Sequence, residues 1–329
     1  MVRLDVDRRD SVQLRFASSP LWECVISVRA LRDPARHPLH APWARRATTA
    51  LAGASLDMLP ALVGTGDSYI PDFIAPPPTE PGRRFETEVD RLRATPAMLV
   101  QDDLARAAAG PNGGGAAALL ERYAGREPAL LEILARELER YWSLAIAPDW
   151  PQLEAILERE IMLRARELAL EGASALLAGL HPDVAWRRGA LAVDRPGRDS
   201  WARVGRTGLL LVPSVFAWPD VFTVTDDPWR VSLYYPASAI GSWISPNNRP
   251  SQGALNALTG QSRARVLRAL TEPVTTLELA RRLDLPASAI SRHLTAFAAA
   301  GLVGRIRVGR RVFYQPTAVL TTVLHLLDT

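Results

Sequence analysis

The chain has one cysteine, Cys24, no lysine, and no apolar run long enough to cross a bilayer. A single thiol excludes an internal disulfide and cannot by itself form a thiolate metal cage. Its neighbours Leu21, Trp22, Val25 and Ile26 are apolar, so it reads as a buried structural cysteine. A spanning helix needs about 18 or more uncharged apolar residues. The longest apolar strip, 208–219, is shorter and is broken by Pro213. Arg3, Asp5, Asp7, Arg8, Arg9 and Asp10 crowd the start of the chain. They leave no room for the apolar middle of a secretory signal, so a cytoplasmic protein with no membrane partner is expected. Common enzyme motifs are missing too. There is no Gly-x-Ser-x-Gly elbow, no His-Glu-x-x-His, no Walker loop, and no Gly-x-Gly-x-x-Gly after a strand. The all-arginine basic set, with abundant Ala, Pro and Gly, points to GC-rich coding rather than to function.

What is present is an ordinary globular composition with an uneven charge. At 329 residues and 36.0 kDa the chain suits two or three domains. Hydrophobic residues are 48% and charged residues 22%, which excludes a disordered or fibrous chain. The net charge is +4, yet residues 252–329 hold ten Arg against four acids, a net +6. The other 29 basic and 31 acidic residues net −2. A basic C-terminal quarter beside a near-neutral remainder suggests a polyanion-binding module attached to something else.

Alternation over 11–16 predicts a short strand, and Ser19-Pro20 with Glu23 predicts a helix start running to about Leu31. The segment 69–83 carries Pro71, Pro76, Pro77, Pro78 and Pro81 and cannot be regular helix. Helices are predicted at about 85–94 and 96–109 and, beyond the Asn112-Gly113-Gly114-Gly115 break, through most of 116–180. Pairs such as Glu160 and Arg164 read as a salt-bridged helix face rather than a paired-carboxylate active site. After Leu180 the pattern changes to short strand-like runs at 184–193, 208–212, 221–224 and 231–235. A small sheet packed on the preceding helices is the simplest arrangement. The best linker is 244–253. The expected fold class is therefore α+β, mainly α with small β-sheets. An N-terminal regulatory or dimerisation domain of mixed helices and sheet spans 1–245, and a C-terminal winged helix-turn-helix spans 252–329.

The second of these carries the chemistry. A helix at 262–270 points Val266, Leu267 and Leu270 inward. Thr275, with Glu278 three residues on, offers a capping box for a helix ending at Leu283. Asp284-Leu285-Pro286 makes a tight turn into a second helix, 287–299. At about 100° per residue, Ile290, Leu294 and Phe297 share the inward face of that helix. Ser288, Ser291, Arg292 and Thr295 share nearly the opposite face, which is slim and rich in donors. Such a face suits the major groove, about 12 Å wide. Ala287 and Ala289 keep the helix thin, and His293 falls between the faces. Next, 303–315 reads as a basic hairpin turning at Gly309-Arg310, with Arg305, Arg307, Arg310 and Arg311 placed for phosphate or minor-groove contacts. A last helix, 317–327, has an apolar stripe that suits dimer packing or burial within the subunit.

Residues 275–280 and 285–294, followed by Ala300-Gly301-Leu302-Val303 and the Gly309-Arg310 wing, resemble the ArsR-type winged helix-turn-helix regulators over about a quarter of the chain. The resemblance implies double-stranded DNA binding, by a homodimer on an inverted repeat, with repression as the usual outcome. It puts Thr275, Thr276, Ser288, Ala289, Ser291, Arg292, His293, Thr295, Arg305, Arg307, Arg310 and Arg311 at the DNA. Two departures stand out. Pro286 occupies the entry to the recognition helix, where the family often has a capping serine. Residues 277–283 lack the Cys and His of the metal-sensing members, so metal sensing is not implied. The N-terminal segments 14–23 and 31–37 resemble an uncharacterised domain that precedes such modules in actinobacterial regulators. That resemblance fixes no ligand or cofactor.

Residues 1–245 offer little to a catalytic reading. Ser214 follows an apolar strand but lacks flanking glycines, and His37, His40 and His181 do not make a metal set on their own. No enzyme activity and no cofactor are expected. Nine tryptophans, all before residue 244, suit either a small-molecule pocket or core and interface building. The expectation is that this domain binds a small-molecule effector or supplies the dimer interface. The alternative is a protein-docking module, or less readily an enzyme, tethered to DNA.

Overall fold

Six consecutive residues, Leu209–Ser214, are buried without exception. In the computed structural model this strand is covered on both faces, so no position along it needs to be polar. The structure describes residues 2–6, 13–66, 68–79, 82, 84–187, 190–194, 200–204, 207–238, 243, 259–308, 311–317, 319–320 and 324. It divides into two compact units, Met1–Ile244 and Ser245–Thr329. The linker expected at 244–253 lies outside the described residues.

The first unit contains two small sheets and a large helical part. One sheet has the order β3 (Val184–Arg187), β4 (Ala190–Val193), β1 (Val2–Val6), β5 (Ser200–Val204). The other has the order β2 (Leu14–Phe16), β6 (Leu209–Ser214), β8 (Ser232–Pro236), β7 (Phe222–Val224). Strands β2, β6 and β8 are parallel, and β7 is antiparallel to β8. Alternation splits β6 between two cores. Leu210 and Val212 join the helical core, while Leu209 and Leu211 join Val2, Leu4, Leu191 and Val193 of the other sheet. The single small sheet expected from the sequence is thus two sheets, the second lying between the first and the helices.

The helices are α1 (Pro20–Arg32), α2 (Ala41–Ala50), α3 (Met58–Leu62), α4 (Phe85–Arg93), α5 (Ala97–Ala109), α6 (Gly114–Tyr123), α7 (Glu127–Tyr141), α8 (Trp150–Glu171) and α9 (Ala173–Ala178). Ser19 caps α1 by accepting from the Trp22 N–H at 3.0 Å. Among its described residues the proline-rich 69–83 segment holds a 3-10 turn at Asp72–Ile74, with Phe73 and Ile74 fully buried. The tryptophans mostly build this core. Trp22 stacks on Tyr234 at 4.1 Å, Trp142 on Phe85 at 4.4 Å, and Trp43 packs against Phe216 at 4.5 Å. Cys24 is fully buried, as its neighbours predict. Among the described residues no helix is long and apolar enough to cross a membrane.

The second unit holds α10 (Gln261–Ala269), β9 (Val274–Thr275), α11 (Thr276–Leu283), α12 (Ala287–Ala299), β10 (Val303–Val308) and β11 (Arg311–Pro316). Its sheet runs β10-β11-β9. Val266, Leu267, Leu270, Leu279, Ile290, Leu294, Phe297 and Tyr314 make one core. Of the predicted last helix, Leu320 is buried in that core while Val319 is exposed. Residues 321–323 and 325–329 lie outside the described residues. The fold class is α+β, mainly helical with small sheets.

Candidate nucleic-acid interface

Helix α11 is held by local chemistry at both of its ends. The Thr275 hydroxyl accepts from the Glu278 N–H at 3.3 Å, and the Glu278 carboxylate accepts from the Thr275 N–H and hydroxyl, each at 2.9 Å. This is the predicted capping box. The hydrogen bond from the Thr275 N–H, then that from its hydroxyl, holds the Glu278 carboxyl below the usual range. Thr275 therefore spends its hydroxyl on the cap, and both it and Thr276 beside it are half-buried. At the far end Asp284 takes a left-handed conformation (φ 53°), and the Leu285 N–H donates to the Ala280 carbonyl at 3.1 Å. Pro286 stands at the N-cap of α12 and gives it no side-chain hydrogen bond.

Helix α12 has the two faces that its sequence predicts. Ile290, Leu294 and Phe297 are buried, and Ser288, Ser291, Arg292 and Thr295 are exposed. Ala289 and His293 are half-buried at the borders. The Thr295 hydroxyl donates to the Ser291 carbonyl at 2.9 Å, which leaves its lone pairs outward. The His293 ring stacks on Phe297 with centroids 6.4 Å apart. Partial burial, then the nearby Arg263 and Arg292 charges, lowers its pKa, so a neutral imidazole is favoured there.

Strands β10 and β11 pair antiparallel, with Val308 opposite Arg311 and Arg305 opposite Tyr314. The Gly309-Arg310 turn between them, and with it Arg310, lies outside the described residues. The pleat divides the arginines. Arg305 and Arg307 share the face of Val312 and Tyr314, and Arg311 lies on the other face with Ile306 and Phe313. Arg305, Arg307 and Arg311 are all exposed, as is Ile306. Arg311 also lines a cavity of about 380 Å³ with Thr275, Thr276 and Arg281 at the start of α11. Sequence reasoning missed Arg281. The helical period carried the signal, since Arg281 sits one turn beyond exposed Leu277 and Glu278.

In the first unit the residues weighed for catalysis have structural partners. Histidines 37, 40 and 181 hydrogen-bond the carbonyls of Trp218, Val215 and Pro219 at 2.8, 2.9 and 3.1 Å. All three therefore pin the loop that follows β6. Burial, the largest cause, lowers the His40 pKa to about 4. Ser214 is buried, and its hydroxyl accepts from the Ala217 N–H at 3.1 Å. Among the described residues no three His, Cys, Asp or Glu side chains are grouped to hold a metal ion.

Comparison with known proteins bears on both units. Residues 261–305 match a family model described as a helix-turn-helix domain. Residues 128–241 match a family of unknown function, DUF5937. Among solved structures, reduced HlyU from Vibrio cholerae is 25% identical over 26% of this chain and 94% of its own, with a TM-score of 0.21. The transcriptional regulator BldR from Sulfolobus solfataricus is 32% identical over 27% of this chain and 64% of its own, also with a TM-score of 0.21. No curated protein matches the chain. The helix-turn-helix match supports a DNA-binding regulator.

Proposed function

We propose that this chain is a sequence-specific transcriptional repressor of the ArsR type, binding an inverted-repeat operator in double-stranded DNA as a homodimer. In this reading residues 252–329 are the DNA-binding domain, and 1–245 either bind an effector or supply the dimer interface. Helix α12 enters the major groove. Arg292 reads a guanine edge, while Ser288, Ser291 and Thr295 contact bases or phosphates. Ala289 keeps the approach close, and His293 flanks it. Thr275 and Thr276, at the start of α11, lie by a phosphate. The wing, through Arg305, Arg307, Arg310 and Arg311, supplies sequence-independent contacts. One observation carries the reading: the exposed face of α12 is made only of small or donor-bearing residues, opposite a fully apolar buried face. The protein acts by binding rather than by catalysis. The test is a titration of labelled promoter and random duplexes with wild type and Arg292→Ala. A promoter preference that disappears in the variant supports base reading. Equal preference in both proteins would remove Arg292 from that role.

A second reading of the first unit, protein docking, is favoured by Met162, Leu163 and Leu170 of α8, which are 71%, 51% and 72% exposed. A defined protein that co-purifies with wild type but not with Met162→Glu/Leu170→Glu would support it. Ligand-induced thermal shifts without such a partner favour effector sensing.

A further inference from the structure

Beside the edge strand β2 lies a cavity of about 380 Å³, a size that suits a small organic ligand. Most of its lining is apolar, from Leu14, Phe16, Pro78, Leu168 and Leu210. Its two charged residues have the same sign, Arg15 and Arg230, and no acid lines it. Arg15 belongs to β2. Arg230 lies two residues before β8, which is two strands away across β6.

This pair is left electrostatically incomplete. One terminal nitrogen of Arg230 donates to the Thr207 carbonyl. Its Nε is buried without a hydrogen-bond partner, which is costly unless something else accepts from it. Burial, then the charge of Arg15, lowers the Arg230 pKa, with no carboxylate among the causes to offset them. Elsewhere in the first unit arginines meet acids directly: Arg36 with Asp220 at 2.6 Å, and Arg164 with Glu160 at 2.7 Å. Two arginines bordering an apolar cavity are complementary to an anion that carries a hydrocarbon body.

We propose that this cavity binds a small amphiphilic anion, its carboxylate or phosphate held between Arg15 and Arg230 and its hydrocarbon part against Phe16, Leu168 and Leu210. The site goes beyond the DNA-binding reading by giving the sensing role a location and a ligand class. It depends only on the first unit.

Calorimetric titration of the full chain, without DNA, tests it. The probes are decanoate and decyl phosphate, with decanol as the uncharged counterpart and acetate and inorganic phosphate as head groups without a tail. At least one decyl anion is expected to bind about tenfold or more tighter than decanol, and both bare head groups weakly. Arg15→Gln and Arg230→Gln should each remove most of that advantage and leave decanol binding as in wild type. Arg15 is exposed, so its variant keeps the test valid if Arg230→Gln melts early. The proposal is overturned if decanol binds as well as the anions, if Arg15→Gln binds the anions like wild type, or if neither anion binds below about 1 mM. Because no DNA is present, failure here leaves the operator reading untouched. Loss of that reading likewise leaves the titration interpretable.

Discussion

Arg292 stands exposed on α12 between Ser288, Ser291 and Thr295, and its bidentate fork matches the O6 and N7 atoms of guanine. Arg292→Ala is expected to cost about 1–3 kcal/mol on the operator and almost nothing on random duplex, as read by fluorescence anisotropy. A uniform loss on both would make Arg292 a phosphate contact instead. A different single residue adds a defined part of the pH dependence. His40 is fully buried, donates through Nε2–H to the Val215 carbonyl, and has no hydrogen-bond partner at Nδ1. Its pKa falls from 6.5 to about 4, mainly because burial disfavours the imidazolium. A depressed folded-state pKa gives stability that is present above the unfolded value and lost as pH drops through the folded one. Between pH 6.5 and 4 this group should therefore remove roughly 3 kcal/mol of stability, against the gain from Glu23 and Asp72, whose buried carboxyls are raised to about 7 and about 8. His40→Phe retains an aromatic ring against Phe216 and should remove that contribution, so melting curves of the variant lose less, or gain more, stability than wild type as pH falls from 6.5 to 4. An unchanged slope would assign the acid sensitivity elsewhere.

At the scale of elements, helix α11 depends on its capping box. Thr275→Ala removes the hydroxyl that both accepts from and donates to Glu278. About 1 kcal/mol of stability should be lost, seen as faster amide exchange in α11 and a lower urea midpoint; no change would mean the cap is dispensable. The wing makes a separate prediction. Arg305→Ala and Arg307→Ala, which lie on one face of the hairpin, should each reduce the salt dependence of binding by about one phosphate contact without changing sequence preference. A changed preference would make the wing a base reader. These elements were legible in the sequence because their signals are local. Thr275 and Glu278 are three residues apart, the apolar residues of α12 recur at helical spacing, and Gly309-Arg310 separates two strands of alternating pattern. Strand β1 was not legible. Val2 pairs with Val193 and Ser200, nearly two hundred residues away, and no local pattern reports such partners. Separation in sequence also hid the role of the histidines, which bind carbonyls 181, 175 and 38 residues away.

For the whole molecule, the uneven charge has a structural counterpart. The net +6 of 252–329 falls within the unit that carries α12 and the wing, and the unit with two sheets and the large helical core is near neutral. The apolar run at 209–213 announced a buried strand. That one strand serves two cores could not be read from it, since an unbroken apolar run is equally apolar toward a helix or a second sheet. If the first unit sets the dimer, sedimentation equilibrium of the full chain should give twice its 36.0 kDa mass. A monomer at micromolar concentration would contradict the inverted-repeat mode. The central claim is tested most directly by titrating the full-length protein against its own promoter DNA and a random duplex at two salt concentrations. The account predicts tighter promoter binding at both, with affinity for both duplexes falling steeply as salt rises. A folded protein that binds neither duplex, with or without added cell extract to supply an effector, would contradict it.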